Sequence, residues 1–364
     1  MIGKASDTMK IISIVGARPQ FIKCAPVSRQ LRKEHEEILI HTGQHYDPEM
    51  SDIFFKDLQI PEPDYHLDVG SGSHGQQTGI ILERLEPVLI KEKPDLVLVY
   101  GDTNSTLAGA LCAAKLHIPI AHVEAGLRSF DRTMPEEINR VVTDHISNIL
   151  FCPTQTANDN LAKEGITKGV HMVGDVMVDA LMHNSEIAER KSSIIKRLEL
   201  KKGCYYVATV HRPSNTDNKK NLTSIIEALM ESGKTVVFPV HPRTKKYLHE
   251  YRLCDSLSEN IHLIEPLGYI DMLLLMKHAR KILTDSGGIQ KEAYVLGIPC
   301  ITMRENTEWI ETLTGGWNVL VGADRDKIRT ALLADIRTNM DNTVFGKGDA
   351  VSKIVRIISS HSMD

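Results

Sequence analysis

Residues 95–124, DLVLVYGDTNSTLAGALCAAKLHIPIAHVE, carry the pattern that decides the fold. Asp95–Tyr100 is a short apolar run that stops at Gly101-Asp102. Thr103–Leu116 follows with helical periodicity, and Pro119–Val123 is a second apolar run, closed by Glu124. Strand, helix and strand at this spacing form a βαβ unit whose strands lie parallel in one sheet.

The alternation repeats outward in both directions. Upstream, strands are expected at Lys10–Val15 and Glu37–His41, with helices at Phe21–Leu31 and Gly79–Lys91. Downstream come a helix at Glu136–Ile146, a strand at Ile149–Cys152 and one long helix over Val178–Leu198. Strands resume at Tyr205–Thr209, Thr235–Pro239, Ile261–Ile264, Lys281–Leu283, Pro299–Thr302 and Asn318–Val321. Helices at Leu222–Met230, Asp271–Lys277 and Ile289–Leu296 separate several of them. Such regularity means parallel sheets covered by helices on both faces. Two sheets suit this many strands better than one, and the charged stretch from Glu189 to Gly203 marks the join, near residue 185. The expected class is α/β, two Rossmann-like doubly wound domains over residues 9–185 and 186–348. Facing across a cleft, they would bind ligand at the carboxyl ends of their strands.

Composition narrows the partners. The 364 residues are 42% apolar and 25% charged, with 43 basic against 47 acidic side chains and a net charge of −4. That balance excludes a generally basic nucleic-acid binder but allows a local pocket for phosphate. No apolar run approaches the ~18 residues of a membrane span. Residues 1–8 lack a signal-peptide apolar region, so a disordered extension and a cytoplasmic location are expected. Cysteines at 24, 112, 152, 204, 254 and 300 are too dispersed for zinc pairs or a disulfide framework, and read as buried thiols of a reducing compartment.

Several strand ends carry chemistry. Gly16-Ala17-Arg18-Pro19-Gln20-Phe21-Ile22-Lys23 closes the first strand with two cations, Arg18 and Lys23, suited to an anion at a helix N-terminus. Gly70-Ser71-Gly72-Ser73-His74-Gly75 fits a dinucleotide fingerprint but lacks the strand before it, and is expected to be a mobile loop. Asp102 and Glu124 sit at consecutive strand ends, and Glu136 opens the next helix. There Ile138, Val141, His145 and Ile149 are expected to form the buried stripe, with Glu136 and Arg140 on another face. Three carboxylates crowded together would raise one another's pKa and offer an acid and a base at neutral pH. Separately, Asp102 suits a helix N-cap and Glu136 a first-turn acid. In the second half, His211 and His241 follow strands. Thr284-Asp285-Ser286-Gly287-Gly288 is a strand end, a close-approach turn and a helix start, which suits a phosphate, with Glu292 one turn deeper. Walker A, H-E-x-x-H and G-x-S-x-G patterns are absent.

These stretches, with His41-Thr42-Gly43-Gln44-His45, His122-Val123-Glu124-Ala125-Gly126-Leu127-Arg128 and Pro135-Glu136-Glu137-Ile138-Asn139-Arg140, resemble the non-hydrolysing UDP-N-acetylglucosamine 2-epimerase family, in order from about Lys10 to the last helix. The resemblance implies the glycosyltransferase-B fold, usually a homodimer, with a final helix over 349–364 rejoining the first domain. It implies inversion at C2 of the amino sugar without NAD or metal: UDP leaves by anti elimination, giving 2-acetamidoglucal, and re-adds. By motif, Asp102, Glu124 and Glu136 resemble the acid–base carboxylates. Arg18, Lys23 and His211 resemble the groups on the departing diphosphate. Ser286, Gly287, Gly288 and Glu292 resemble its resting contacts and those of the ribose, and Leu267 and Met272 fall where the family lines the uracil pocket. Two departures stand out. Thr307-Glu308-Trp309-Ile310-Glu311 replaces the family's Thr-Glu-Arg-Pro-Glu, which leaves Arg304 to supply a cation, and residues 69–76 lack the arginine of substrate-regulated bacterial members. The tryptophan variant is similar to a sister branch acting on UDP-2,3-diacetamido-2,3-dideoxyglucuronate. A glycosyltransferase of the same fold and a nucleotide-sugar sensor without turnover are the readings from other classes.

Overall fold

Short runs of Ile, Val and Leu build two wholly parallel sheets, because strands covered by helices on both faces must be apolar on both. In the computed structural model, residues 8–44, 61–334 and 343–360 are described, as is Arg18 except for its side chain. The chain divides into two units, Met1–Met182 with Thr343–Asp364, and His183–Asn342.

The first unit holds β1 (Lys10–Val15), α1 (Arg18–Leu31), β2 (Glu36–His41), β3 (Tyr65–His66), α2 (His74–Glu92), β4 (Leu96–Tyr100) and α3 (Asn104–Lys115). It continues with β5 (Ile120–Val123), α4 (Pro135–Ile146), β6 (Ile149–Cys152), α5 (Gln155–Lys163) and β7 (Val170–Met172). Then α6 (Val176–Lys191) crosses the division. The second unit holds α7 (Ile194–Arg197), β8 (Tyr205–Thr209), α8 (Pro213–Thr216), α9 (Lys219–Met230), β9 (Thr235–Pro239), α10 (Pro242–Glu250) and β10 (Ile261–Ile264). After these come α11 (Tyr269–Lys277), β11 (Lys281–Thr284), α12 (Gly287–Val295), β12 (Cys300–Thr302), β13 (Asn318–Leu320) and α13 (Arg325–Leu333). The final helix, α14 (Ala350–Ser360), belongs to the first unit and packs on α1.

The sheet orders are β3-β2-β1-β4-β5-β6-β7 and β10-β9-β8-β11-β12-β13. Each reverses direction once, between β1 and β4 and between β8 and β11, and such reversals open a crevice at the carboxyl ends of the strands. All five residues of β4 are fully buried, with Ile12, Ile14, Ile81, Leu85 and Leu89 in the surrounding core.

Several expectations change. The 70–75 stretch is not all loop: Ser73 caps α2, accepting from the Gln76 N–H, so His74 and Gly75 are helical. The long helix over 178–198 breaks at Ser192-Ser193 into α6 and α7, and the Ser192 hydroxyl bonds Asp271 instead. Strands β3 and β7 lack an apolar run because each is a short edge strand, incompletely buried. Of the six cysteines, four are buried, but Cys204 is exposed and Cys254 only half-buried, both outside strands. The expected extension falls largely on residues 1–7, outside the described residues, as does His45.

Candidate active site

The stripe expected on α4 is overturned. Ile138 and His145 are exposed, while Glu137, Asn139, Arg140, Thr143 and Asp144 are buried. A helix laid over two polar turns buries its polar face, and the turns after β4 and β5 supply the partners.

Asp102 follows β4 and is held by Arg140, whose Nη2 and Nε donate to it at 2.6 and 3.0 Å. Asn139 Nδ2 donates to the Asp102 carbonyl at 2.9 Å. Thr103, and not Asp102, caps α3. Glu124 follows β5 in the left-handed region, at φ 76°, and is ion-paired with Lys23 of α1 in a buried contact. A Cβ on Gly101 would lie 3.3 Å from both partners of that pair. Glycine therefore leaves them room, and its own φ of 64° suits the turn. Glu136 is half-buried in the first turn of α4 and makes no side-chain hydrogen bond or ion pair among the described residues.

The charge logic thus differs from the expected crowding of like charges. Asp102 and Glu124 each face a cation, Arg140 and Lys23. Gln20 ties the neighbouring strand ends: its Oε1 accepts from Gly16 and Ala17 N–H at 2.8 and 3.1 Å, and its Nε2 donates to the Tyr100 carbonyl at 2.8 Å.

Beneath these turns lies a group the sequence reading missed. The fully buried Asp144 carboxylate accepts from His122 Nδ1 at 2.7 Å, the Gly126 N–H at 3.0 Å and Arg128 Nη1 at 2.7 Å. Burial works to raise this carboxyl, yet His122 and Arg128 hold it below its ordinary range. Glu137, also buried, accepts from Ser129, Phe130 and Arg140. The spacing of Glu137, Arg140 and Asp144, three and four residues apart, is a polar stripe that would have revealed both.

In the second unit, His211 follows β8 and sits against Asp285, which follows the adjacent β11. His211 Nδ1 is 3.2 Å from Asp285 Oδ1. Asp285 is fully buried and also accepts from the His211 and Arg212 N–H groups and from Asn215 Nδ2, at 3.0–3.1 Å. Ser286 is the N-cap residue of α12 without a side-chain cap bond, so it does not consume the helix's leading N–H groups. Gly287 is buried, Gly288 exposed and Glu292 buried. A Cβ on Gly287 would collide with the Glu308 carboxylate. His241 follows β9 and caps α10, its ring centroid 5.8 Å from that of His211. Leu267 and Met272 are half-buried before and within α11. The Arg304 guanidinium pairs with Glu308 at 2.9 Å, and Trp309 is buried with Lys291 Nζ 4.0 Å from its ring centroid. Trp309 therefore packs as a buried ring under a lysine ammonium.

Two Rossmann-like halves, with paired carboxylates at one set of strand ends and a glycine-led helix start at another, make up a fold of the glycosyltransferase-B class. The family model described as UDP-N-acetylglucosamine 2-epimerase matches residues 29–359, and the chain belongs to that family, whose members are isomerases. It is 58% identical over 354 residues to a UDP-N-acetylglucosamine 2-epimerase homolog of Methanococcus maripaludis, covering 96% of this chain and 99% of that one. It is 50% identical over 363 residues to UDP-2,3-diacetamido-2,3-dideoxy-D-glucuronate 2-epimerase of Pseudomonas aeruginosa, covering 96% and 99%. The crystal structure of Methanocaldococcus jannaschii UDP-GlcNAc 2-epimerase in complex with UDP-GlcNAc and UDP matches with a TM-score of 0.86 and 48% identity, over 97% of this chain and all of that one. No helix among the described residues is long and apolar enough to cross a membrane.

Proposed function

We propose that this chain interconverts UDP-GlcNAc and UDP-ManNAc, without hydrolysis, by anti elimination of UDP and its re-addition to 2-acetamidoglucal. The observation that carries this reading is the pair of carboxylates at adjacent strand ends, Asp102 on Arg140 and Glu124 on Lys23, with Glu136 in the first turn of α4, the helix that supplies Arg140. Removing the C2 proton and returning it on the other face requires two positioned acid–base groups. Breaking the anomeric C–O bond requires the leaving diphosphate to be stabilised.

The labour divides between the units. In the first, Asp102, Glu124 and Glu136 work on the sugar, and Arg18 and Lys23 lend positive charge. In the second, His211, Ser286, Gly287 and Gly288 hold the diphosphate, Glu292 takes the ribose hydroxyls, and Leu267 and Met272 line the uracil. The His211 ring is oriented by Asp285, which suits a donor to a departing phosphate. The functional protein is a homodimer in the cytoplasm.

Turnover of UDP-GlcNAc alone, in heavy water, tests the reading. An epimer mixture carrying deuterium at C2 is expected, and product that retains protium would sink it. The alternative reading, action on UDP-2,3-diacetamido-2,3-dideoxyglucuronate, draws on the 50% identity to the epimerase of that name. Side-by-side assay of both nucleotide sugars separates the two.

A further inference from the structure

Glu124 lies in strained backbone, at φ 76°, and two residues on Gly126 has φ 81° with no space for a Cβ beside the Ala157 carbonyl. Such conformations persist only where the surroundings over-determine them. The Glu124 and Ala125 N–H groups reach the Phe151 carbonyl at 3.2 and 3.1 Å, and Asn160 Nδ2 donates to the Gly126 carbonyl at 3.1 Å. A further hold on this turn comes from α4: Asp144 Oδ2 accepts the Gly126 N–H and Arg128 Nη1. Arg128 is locked in turn by Glu164 at 2.7 Å.

The other oxygen of the same carboxylate acts on the other turn. Asp144 Oδ1 bonds His122 Nδ1, and His122 Nε2 lies 2.7 Å from the carbonyl of Gly101, the residue before Asp102. Both ring nitrogens therefore face oxygen atoms, the Asp144 carboxylate on one side and the Gly101 carbonyl on the other. His122 has no exposed surface, so the ring serves as a rigid strut and not as a ligand.

From this juxtaposition we propose that Asp144 is a positioning residue of the epimerase, one buried carboxylate that sets both the Gly101-Asp102 turn and the Glu124-Ala125-Gly126 turn. The inference rests on the reading that Asp102 and Glu124 perform the acid–base steps. Its logic is geometric. Asp144→Ala releases both turns at once, and a shift of about 1 Å in catalytic groups costs on the order of 100-fold in rate. Asp144→Asn keeps one acceptor for Gly126 and Arg128. Its NH₂ takes the place of Oδ1 beside His122 Nδ1, so the ring keeps a polar partner on each side and stays against Gly101.

The experiment is steady-state epimerisation of UDP-GlcNAc by full-length variants, with UDP affinity by calorimetry and thermal unfolding as a check of folding. Asp144→Ala should lower kcat about 100-fold, with KM and UDP affinity within about threefold of the parent. Asp144→Asn should recover to within about tenfold. A folded Asp144→Ala variant with normal kcat, or equal losses in the Ala and Asn variants, would overturn the proposal. If Asp144→Ala does not fold, His122→Asn decides. Its amide mimics Nδ1 and keeps Asp144 satisfied but cannot reach Gly101, so kcat should fall while KM holds, and an unchanged kcat refutes the strut. Glu124→Gln and Asp102→Asn run in parallel. Near-normal rates there would defeat the acid–base reading itself, whereas losses there beside a normal Asp144→Ala rate would defeat only the positioning role.

Discussion

Glu124 and Asp102 each sit against a cation, so replacing either by its amide removes a charge that Lys23 or Arg140 was matching. The expected result for Glu124→Gln is a loss of about 100-fold or more in turnover, as for a lost general acid or base, with UDP binding retained. Calorimetry alongside initial rates checks both halves. Elsewhere in the first unit, His41 bears on stability. It is buried between Phe21 and His66, and its Nδ1 accepts the Gly43 N–H at 2.8 Å. Burial, helped by His66, pulls its pKa from 6.5 down to about 4. The unfolded chain then binds more protons than the folded one between those values. Stability is full above pH ~6.5 and falls as the pH drops toward 4, by about 3 kcal/mol in all. Denaturant midpoints measured across that range should show the slope, and His41→Asn, which keeps an acceptor for Gly43, should flatten it.

Among the elements, α4 and α14 are opposites. Helix α4 buries charge because it lies on the turns that carry the candidate carboxylates, so its sequence answers to those turns more than to an apolar core. Helix α14 buries Ile354, Val355 and Ile358 against the first unit. Its start is held by Asp179, which accepts the Val351 N–H at 3.1 Å, and Ser359 meets His35 Nε2 at 2.8 Å near its end. Ile354→Ala should therefore destabilise the first unit by about 2–5 kcal/mol through lost burial and a residual cavity. Thermal unfolding of the variant that left stability unchanged would contradict this packing. At α12 the argument concerns access. Gly287→Ala should weaken UDP binding roughly tenfold or more, because the added methyl displaces Glu308 at the helix start assigned to the diphosphate.

At the scale of the molecule, two sheets repeat one topology, and each offers strand ends flanking an order reversal. The chemistry is unequal between them. Carboxylates with paired cations collect at the ends of β4 and β5, and the glycine turn with the Asp285–His211 pair at the ends of β11 and β8. If UDP is held chiefly by the second unit, the nucleotide stabilises that unit by mass action, about 2.7 kcal/mol at a hundred times Kd. Hydrogen exchange with and without UDP should then show larger slowing in β8, β11 and α12 than in β2 or β6. Equal protection everywhere would contradict the assignment.

The sequence by itself determined the alternation of strand and helix, the parallel sheets and the strand-end positions of Asp102, Glu124, His211 and Ser286. Those features depend on local periodicity and on residues adjacent in the chain, which a single sequence displays directly. It did not reveal the buried face of α4, since an apolar stripe read from Ile138 to Ile149 presupposes an apolar neighbour. Nor did it disclose that Glu124 meets Lys23 at a sequence separation of 101, or that Asp102 meets Arg140. The partners of Asp144 and Asp285 were hidden for the same reason, even where the stretch around each drew attention. Each is an ordinary acid in its local context, and its role arises from groups brought to it by other strands. Pairing between distant residues costs nothing visible in the linear order; only the sheet that aligns their strand ends decides it.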